Sequence, residues 1–215
     1  VDTDAAVGVV CGGRRDRLPD ASIYNRLCDA EWDTPIGEAR ACGGDALFRL
    51  GPLRAAGFYR SDLIAGEEPE LCLRLRAAGW KIWRLDAEMT WHDADMHRFG
   101  QWWARSRRAG FAFAEGAALH GAPPERHWVA ETRRAIIWGG VLPLLVLVSA
   151  LISPALAVLV ALVWPLQIVR IALRPDMDLA RAVFLTLGKV AEAQGVADYW
   201  FGRLSGRRRG LIEYK

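Results

Sequence analysis

The feature that most constrains this chain is a stretch of 35 residues, 135–169, that contains no charged side chain. As one straight helix this stretch would measure about 50 Å, whereas the hydrocarbon core of a bilayer is about 30 Å thick. Ser153 and Pro154 lie near its middle and divide it into two halves, each about the length of one membrane span. The sequence therefore predicts a transmembrane helical hairpin over residues 135–174.

Arginines flank the predicted hairpin on both sides. Arg133 and Arg134 precede the first span, and Arg170 and Arg174 close the second. Because basic residues favour the cytosolic side of a membrane, we expect both ends of the hairpin in the cytosol. This predicts a multi-pass protein of the cell (inner) membrane. A re-entrant hairpin that never crosses the bilayer is the alternative.

Residues 175–215 are less apolar than the hairpin. Apolar side chains recur at helical spacing between charged ones, which is typical of an amphipathic helix that lies in the membrane interface. The tail 203–209 holds four arginines, for which we expect contact with lipid headgroups. A nucleic-acid patch is the rival interpretation of such a run, but beside two spans we expect no nucleic-acid partner.

Residues 1–134 carry 19 basic and 20 acidic side chains, so the net charge of +3 comes from the rest of the chain. Gly and Pro separate short apolar runs from stretches with helical periodicity, which predicts an α/β domain. The predicted strands are 7–11, 46–50 and 80–85, with a turn-rich segment at 12–19, and the predicted helices are 21–32, 52–56 and 70–78.

Four cysteines lie 17, 14 and 30 residues apart and form no C-x-x-C pair. The spacing therefore gives no sign of a zinc or redox motif, and we expect reduced cytosolic thiols. These cysteines are Cys11, Cys28, Cys42 and Cys72.

Two adjacent carboxylates, Glu67 and Glu68, precede Pro69, which we expect at the start of a helix. Unpaired backbone N–H groups and the helix dipole at that position favour the ionised form, so one of the acids is suited to act as a general base toward a ligand. Acids at a helix N-terminus also act as ordinary caps, and the spacing alone does not separate the two roles.

Four sequence elements follow one another in a recognisable order. They are Cys42-Gly43-Gly44-Asp45 before a strand with Phe48-Arg49, the turn Ala56-Gly57-Phe58, Gly66-Glu67-Glu68 at the head of a Leu-rich helix, and Arg76-Ala77-Ala78-Gly79-Trp80 before a strand. In this order they resemble glycosyltransferase family 2, over roughly residues 7–115. The resemblance implies the C-terminal part of a GT-A-like domain, the fold of nucleotide-diphospho-sugar transferases.

The resemblance implies roles for the residues in these elements. Glu68 takes the place of the Asp that deprotonates the acceptor hydroxyl as general base. Glu67 is its competitor, because a Glu is longer than the usual Asp by a methylene. Gly44 and Asp45 fall where the family binds the acceptor, although the capping of a turn is an equal alternative for Asp45.

Two downstream segments carry further candidates. His92, with Asp93 and Asp95 beside it, falls where several family members carry a histidine that approaches the donor diphosphate or its metal; a surface loop is the alternative. The next helix offers Trp102 to the acceptor and Arg105 to the donor diphosphate, or else rests on the membrane as a basic aromatic helix. Processive members carry Gln-x-x-Arg-Trp here, which this chain lacks, so processive polymerisation is not predicted.

The resemblance also implies a divalent metal, Mg²⁺ or Mn²⁺, held by an Asp-x-Asp motif at the end of an earlier strand. Asp2-Thr3-Asp4 has the letters but precedes the strand 7–11 instead of following one. Because Val1 leads almost at once into that strand without an initiator methionine, we expect a chain that begins in mid-domain. The metal motif and the nucleotide pocket would then lie upstream of Val1.

These expectations describe an inverting glycosyltransferase of the cytosolic membrane face. It would transfer a sugar from a nucleotide-diphospho-sugar to a lipid-linked or glycan acceptor, with membrane lipids as its surroundings. The main rival is a non-catalytic, membrane-anchored scaffold derived from a transferase domain. A small membrane or transport subunit, with residues 1–134 as a cytosolic cap, is a further rival.

Overall fold

The computed structural model describes residues 4–206, which form two compact units. The described part of the first unit is mixed α/β and ends at Gln101, and the second unit, from Trp102 onward, is helical. The first unit ends earlier than the domain predicted at 1–134. Three of the four arginines of the predicted basic tail, at 207–209, lie outside the described residues.

A four-stranded sheet forms the first unit. The long strands β1 and β4 are parallel and lie at its centre, while the short strands β2 and β3 are antiparallel to β4 and β1 at the two edges. The strand order is β2-β4-β1-β3. The strands span Val7–Asp16 (β1), Gly37–Ala39 (β2), Ala46–Phe48 (β3) and Lys81–His92 (β4).

Strand β1 continues through the segment 12–19, where we predicted turns, as far as Asp16. The pairing between β1 and β4 changes register between Cys11 and Gly13, which marks a bulge. A Cβ on Gly12 would overlap the backbone carbonyl of Ala87, so only glycine fits this close approach. The glycines thus belong to a bulged strand and not to a turn.

The sheet of the first unit is accompanied by the helices α1 (Ile23–Trp32), α2 (Leu50–Ala55) and α3 (Glu67–Ala77), and a single 3-10 turn, Pro19–Ala21, precedes α1. Ser22 caps α1, since its hydroxyl accepts from the backbone N–H of Asn25 at 3.0 Å. The apolar side of α3 packs onto the sheet. The buried residues of this core are Val9, Cys11, Cys42, Leu71, Cys72, Leu75 and Ile82.

Helix α3 begins at Glu67, three residues before the start that we predicted at residue 70. Gly66 precedes it with a φ of 84°, a left-handed conformation that glycine adopts without strain. The helix tolerates Pro69 because this residue lies in the first turn, where a backbone N–H would have no intrahelical acceptor. Both carboxylates therefore belong to the first turn of the helix and do not precede it.

The second unit is built from the rest of α4 (Phe99–His120) and from helices α5 (Val129–Ile152), α6 (Pro154–Ala172) and α7 (Leu179–Leu204). The predicted break between the spans is confirmed. Ser153 is extended, with φ −159° and ψ 131°, and separates α5 from α6.

Among the described residues, α5 and α6 are the two helices long and apolar enough to cross a membrane, with 24 and 19 residues. Only 11% and 6% of their most apolar stretches are buried within the protein. The core helix of a soluble protein would be mostly buried. The finding agrees, on length and composition, with the predicted membrane association.

Helix α7 crosses its neighbours at glycines. A Cβ on Gly195 would overlap the carbonyl oxygen of Arg107 on α4, and a Cβ on Gly139 of α5 would overlap the carbonyl oxygen of Lys189 on α7. Such backbone contact is possible only without a side chain. Arg107 also pairs with Asp198 at 2.5 Å across the α4–α7 contact.

Candidate active site

A glycine loop connects β2 to β3 and lies at the centre of the candidate site. In this loop, residues 40–45, Gly43 and Gly44 have φ values of 83° and 89°, which L side chains rarely adopt. Both glycines are exposed, whereas Cys42 before them is buried. The loop therefore has one end fixed in the core and presents its backbone to solvent.

Glu68 joins the first turn of α3 to this loop. Its Oε1 accepts from the backbone N–H of Cys42 at 2.6 Å, from Cys42 Sγ at 3.0 Å and from Cys72 Sγ at 3.0 Å. Among residues 4–206, Oε2 of Glu68 has no hydrogen-bond donor. Glu67, the other candidate base, is exposed one residue earlier. One carboxylate is thus held in place and its neighbour is free to move.

The two thiols that contact Glu68 also contact each other. Cys42 Sγ and Cys72 Sγ lie 3.5 Å apart, and both side chains are buried. The hydrogen bond with Cys42, burial and the charge of Glu68 raise the pKa of Cys72. The Cys72 thiol is therefore protonated at neutral pH and donates to Glu68. All four cysteines are free, in agreement with the predicted reduced thiols.

Tyr59 belongs to the surroundings of the acids, and sequence analysis missed it. Arg74 fixes the turn before it by donating to the carbonyl of Phe58 at 2.7 Å, while it pairs with the buried Glu70 at 2.8 Å. Burial, followed by Cys42 and Glu68, raises the pKa of Tyr59 to about 12. A neutral phenol thus stands near the two carboxylates.

Asp45, at the end of the glycine loop, pairs with Arg14 of β1. The same guanidinium donates to the carbonyl of Gly43 and lies 5.4 Å from the centre of the Trp32 ring. The loop is therefore anchored from both sides, by Glu68 at Cys42 and by Arg14 at Gly43 and Asp45. The sequence did not predict that Arg14 contacts Asp45, because the two residues lie 31 positions apart.

His92 is the last residue of β4 and is not part of a loop after the strand. Its ring contacts Trp32 edge to face, with the centroids 5.1 Å apart. Because Trp32 also contacts Arg14, the ring of Trp32 lies between His92 and the Arg14–Asp45 pair. Of its predicted partners, Asp95 bonds the exposed His97 at 3.1 Å.

Asp16 and Asn25 are buried polar residues that the sequence did not single out. Asp16 accepts from the backbone N–H groups of Leu18 at 2.8 Å and Ala94 at 2.9 Å. Asn25 accepts from the N–H of Met96 at 3.0 Å. Together they fix the segment after β4, and hence the end of the strand that carries His92.

The remaining candidates lie elsewhere. Trp102 and Arg105 belong to the second unit, where the buried Trp102 ring packs against Phe184 of α7 at 4.9 Å. Of the Asp2-Thr3-Asp4 segment, the structure describes Asp4. Its backbone bond with Ala6 and its pairing with Lys81 at 3.0 Å lower the pKa of Asp4. This carboxylate is already engaged with a cation of the protein.

The described residues do not fit the expected Mg²⁺ or Mn²⁺. Among residues 4–206, one group of three side chains could ligate a metal ion, with donor atoms within 4.8 Å of one another. It consists of Cys42, Glu68 and Cys72. Two of its three donors are sulfur, whereas hard cations prefer oxygen ligands. This cluster is therefore unsuited to the metal that the resemblance implies.

Comparison of the chain with protein-family models, curated proteins and solved structures finds no match. The evidence for a function therefore comes from the residues of the chain itself.

Proposed function

We propose that this chain is part of an inverting glycosyltransferase of a membrane, in which a carboxylate at the start of α3 acts as general base. The observation that carries the proposal is the contact between that carboxylate and the glycine loop. Glu68 bonds the backbone of Cys42, and Asp45 three residues later pairs with Arg14. An acid, an exposed backbone loop and an anchored second acid thus share one end of the sheet.

In the proposed reaction, an acceptor hydroxyl attacks the anomeric carbon of a nucleotide-diphospho-sugar. The new bond forms between the hydroxyl oxygen and that carbon as the bond from the carbon to the diphosphate oxygen breaks. Attack from the opposite side inverts the anomeric configuration. The hydroxyl proton passes to the carboxylate, and Oε2 of Glu68 is the oxygen that has no donor among residues 4–206. A base within hydrogen-bond reach typically contributes about 10²–10⁴-fold to the rate.

The membrane part of the proposal rests on α5 and α6. Two apolar helices on the same chain would keep the proposed active site near lipid-linked acceptors. We infer the inner membrane with the first unit in the cytosol, where nucleotide sugars are made, and membrane lipids as further partners. The dependence on Mg²⁺ or Mn²⁺ stays a prediction of the resemblance, and no step of the reaction above uses it.

The alternative proposal is a non-catalytic scaffold, and one contact favours it. Oε1 of Glu68 already accepts three hydrogen bonds, two of them from buried thiols. These bonds hold the carboxylate between α3 and the glycine loop, as a purely structural link requires. In a scaffold, Glu68 would serve only to join α3 to the glycine loop.

Substitution of the two acids separates these proposals. Glu68→Gln keeps an oxygen that can accept from Cys42 N–H but cannot take a proton at neutral pH. In the complete protein as its gene encodes it, we expect Glu68→Gln to lose about 10²–10⁴-fold in turnover while the nucleotide sugar still binds. The measurement is release of nucleoside diphosphate from a panel of nucleotide sugars by membranes that contain the protein.

Glu67→Gln is the matched control, since it changes the adjacent and exposed carboxylate. Loss of turnover in Glu67→Gln alone would assign the base to Glu67. Full turnover in both variants, or no turnover with any donor in the unsubstituted protein, would favour the scaffold.

A further inference from the structure

A compact cluster of soft metal ligands lies beneath the glycine loop. Its three donor atoms are Cys42 Sγ, Cys72 Sγ and Glu68 Oε1, at separations of 3.5, 3.0 and 3.0 Å. Zinc binds thiolate at about 2.3 Å and carboxylate at about 2.0–2.2 Å, which places neighbouring tetrahedral ligands about 3.3–3.8 Å apart. The two sulfurs already have this spacing, and the oxygen needs to move outward by about 0.5 Å.

The backbone fixes all three donors independently of one another. Cys72 lies on α3 one turn after Glu68, so the two side chains share one face of the helix. Cys42 approaches from the glycine loop, where its own N–H also holds Glu68 at 2.6 Å. The cluster is therefore formed by two separate elements, as is typical of a metal site and not of a chance surface pair.

A buried arginine lies next to the loop residue Cys42. Arg84 is 8% exposed, and its guanidinium donates to the carbonyls of Gly12 at 2.8 Å and Ala41 at 3.3 Å. Its Nε has no partner, and within residues 4–206 Arg84 forms no ion pair. The net charge of the cluster therefore bears on whether a metal ion is tolerated beside Arg84.

Metal binding would leave the net charge of the cluster unchanged. Without a metal both thiols donate to Glu68 as S–H groups, so the cluster carries the −1 of the carboxylate. A divalent ion that displaces both thiol protons to solvent leaves two thiolates, one carboxylate and the ion, again −1. Ala41, whose carbonyl Arg84 contacts, is the residue next to Cys42 in the chain. The ion would therefore bind without adding net charge near the buried Arg84.

We propose that Cys42, Cys72 and Glu68 bind a thiophilic divalent metal ion, with Zn²⁺ as the physiological candidate. Three protein donors leave one tetrahedral position open, for water or another ligand. Gly43 and Glu67, the neighbours of two of the ligands, are exposed, so the ion has a short path from solvent. This inference rests on the contacts of the cluster and stands apart from the proposed transferase activity.

If the transferase proposal also holds, the ion acts as an inhibitor. A metal on Oε1 withdraws electron density from the Glu68 carboxylate and makes it a weaker base. Zn²⁺ would then reduce turnover by acting on Glu68, the same carboxylate that the Glu68→Gln substitution removes.

Cobalt replaces zinc as a visible probe. The complete protein in detergent, kept reduced with a phosphine, is titrated with Co²⁺ and followed by absorbance. We expect one equivalent to produce the intense near-ultraviolet band of cobalt–thiolate charge transfer, and Zn²⁺ to bleach it. A millimolar excess of Mg²⁺ should leave the band unchanged, because it competes poorly for sulfur. Absence of the band would overturn the proposal.

Three variants identify the ligands. Cys42→Ser and Cys72→Ser should each weaken Zn²⁺ binding by about tenfold or more, while Cys28→Ser, a buried cysteine outside the cluster, should bind as the unsubstituted protein does. Retention of the full band in Cys42→Ser or Cys72→Ser would assign the metal to other residues and refute the proposal.

Glu68→Gln keeps the proposal testable if a serine variant fails to fold. It leaves both sulfurs in place, so the charge-transfer band should persist while the visible ligand-field bands shift and the affinity falls. Unchanged ligand-field bands would exclude Glu68 as a ligand. Because these readouts need no substrate, their failure and the failure of the transferase proposal are distinguishable.

Discussion

Asp16 is a single residue that fixes a whole segment. Its two carboxylate oxygens accept from the backbone N–H groups of Leu18 and Ala94, and the bond to Ala94 is buried. We expect Asp16→Ala to lower the free energy of unfolding by about 2–4 kcal/mol, because both N–H groups lose their acceptor. Urea unfolding followed by tryptophan fluorescence measures the change.

Asp20→Ala is the control for Asp16. Its side chain is 90% exposed, and its ion pair with Arg26 at 3.5 Å lies at the surface. Such pairs contribute about 0–1 kcal/mol, so this variant should unfold almost as the unsubstituted protein does. Equal losses in the two variants would show that the buried hydrogen bonds of Asp16 are unimportant.

Tyr59 gives a spectroscopic reporter of the candidate site. Its pKa of about 12 in the folded protein lies above the ordinary value of 10, so the folded state binds the phenolic proton more tightly. The contribution to stability is thus complete below pH 10 and is lost as the pH rises through 12. A spectrophotometric titration of the unsubstituted protein minus that of Tyr59→Phe should have its midpoint near 12. A midpoint near 10 would contradict the raised pKa that partial desolvation and the neighbouring Glu68 give the half-exposed phenol.

Among the helices, we expect opposite effects on stability from alanine substitutions at two adjacent glycines of α5. A Cβ on Gly139 overlaps the backbone of Lys189 on α7, whereas a Cβ on Gly140 has no heavy atom within 4 Å. We expect Gly139→Ala to destabilise the second unit by about 1–3 kcal/mol, because α5 and α7 must separate. Gly140→Ala should be neutral or more stable by up to about 1 kcal/mol. Thermal unfolding in detergent compares them, and equal stabilities would disprove the close crossing.

The elements that the sequence predicted well are those with strong local signals. The apolar starts of β1 and β4, the capped helix α1 and the break at Ser153 all depend on neighbouring residues. The edge strand β2 was missed because its sequence Gly-Glu-Ala has no β-branched or aromatic residue, whereas the equally short β3 contains Leu47 and Phe48. The prediction for the second half of β1 was wrong because Gly12 lies in the strand, where it closely approaches Ala87 of β4. These two residues are far apart in the sequence, so the local pattern does not show their contact.

The candidate site shows the same limit. The pair Glu67 and Glu68 was visible as adjacent acids, but the thiols that hold Glu68 came from a loop 26 positions earlier and from the next helical turn. Cysteine spacing searches look for C-x-x-C pairs, and Cys42 and Cys72 lie 30 positions apart. Contacts of this kind depend on the sheet register, which single-sequence patterns do not determine.

The arrangement of the whole chain in a membrane is a separate prediction. If α5 and α6 both cross, Ser153 lies outside the cell and Ser205 lies in the cytosol. In a background without the native cysteines, Ser153→Cys should react with an impermeant maleimide in intact cells, and Ser205→Cys only after lysis. Reaction of Ser205→Cys in intact cells would exclude two spans, while silence of both before lysis would indicate the re-entrant hairpin.

The glycine crossings have a consequence for how variation in this protein is interpreted. Saturation mutagenesis that scores growth or yield would find positions 139 and 195 nearly invariant, since no side chain fits against the carbonyls of Lys189 and Arg107. The proposed catalytic acids would look the same in such a screen. The two kinds of position differ in which substitutions they tolerate. At a crossing glycine even alanine lowers the yield, whatever the charge of the new residue. At a catalytic carboxylate the amide, Gln in place of Glu, leaves folding intact. Intolerance at these helix crossings therefore reports the packing of the helices and not catalysis.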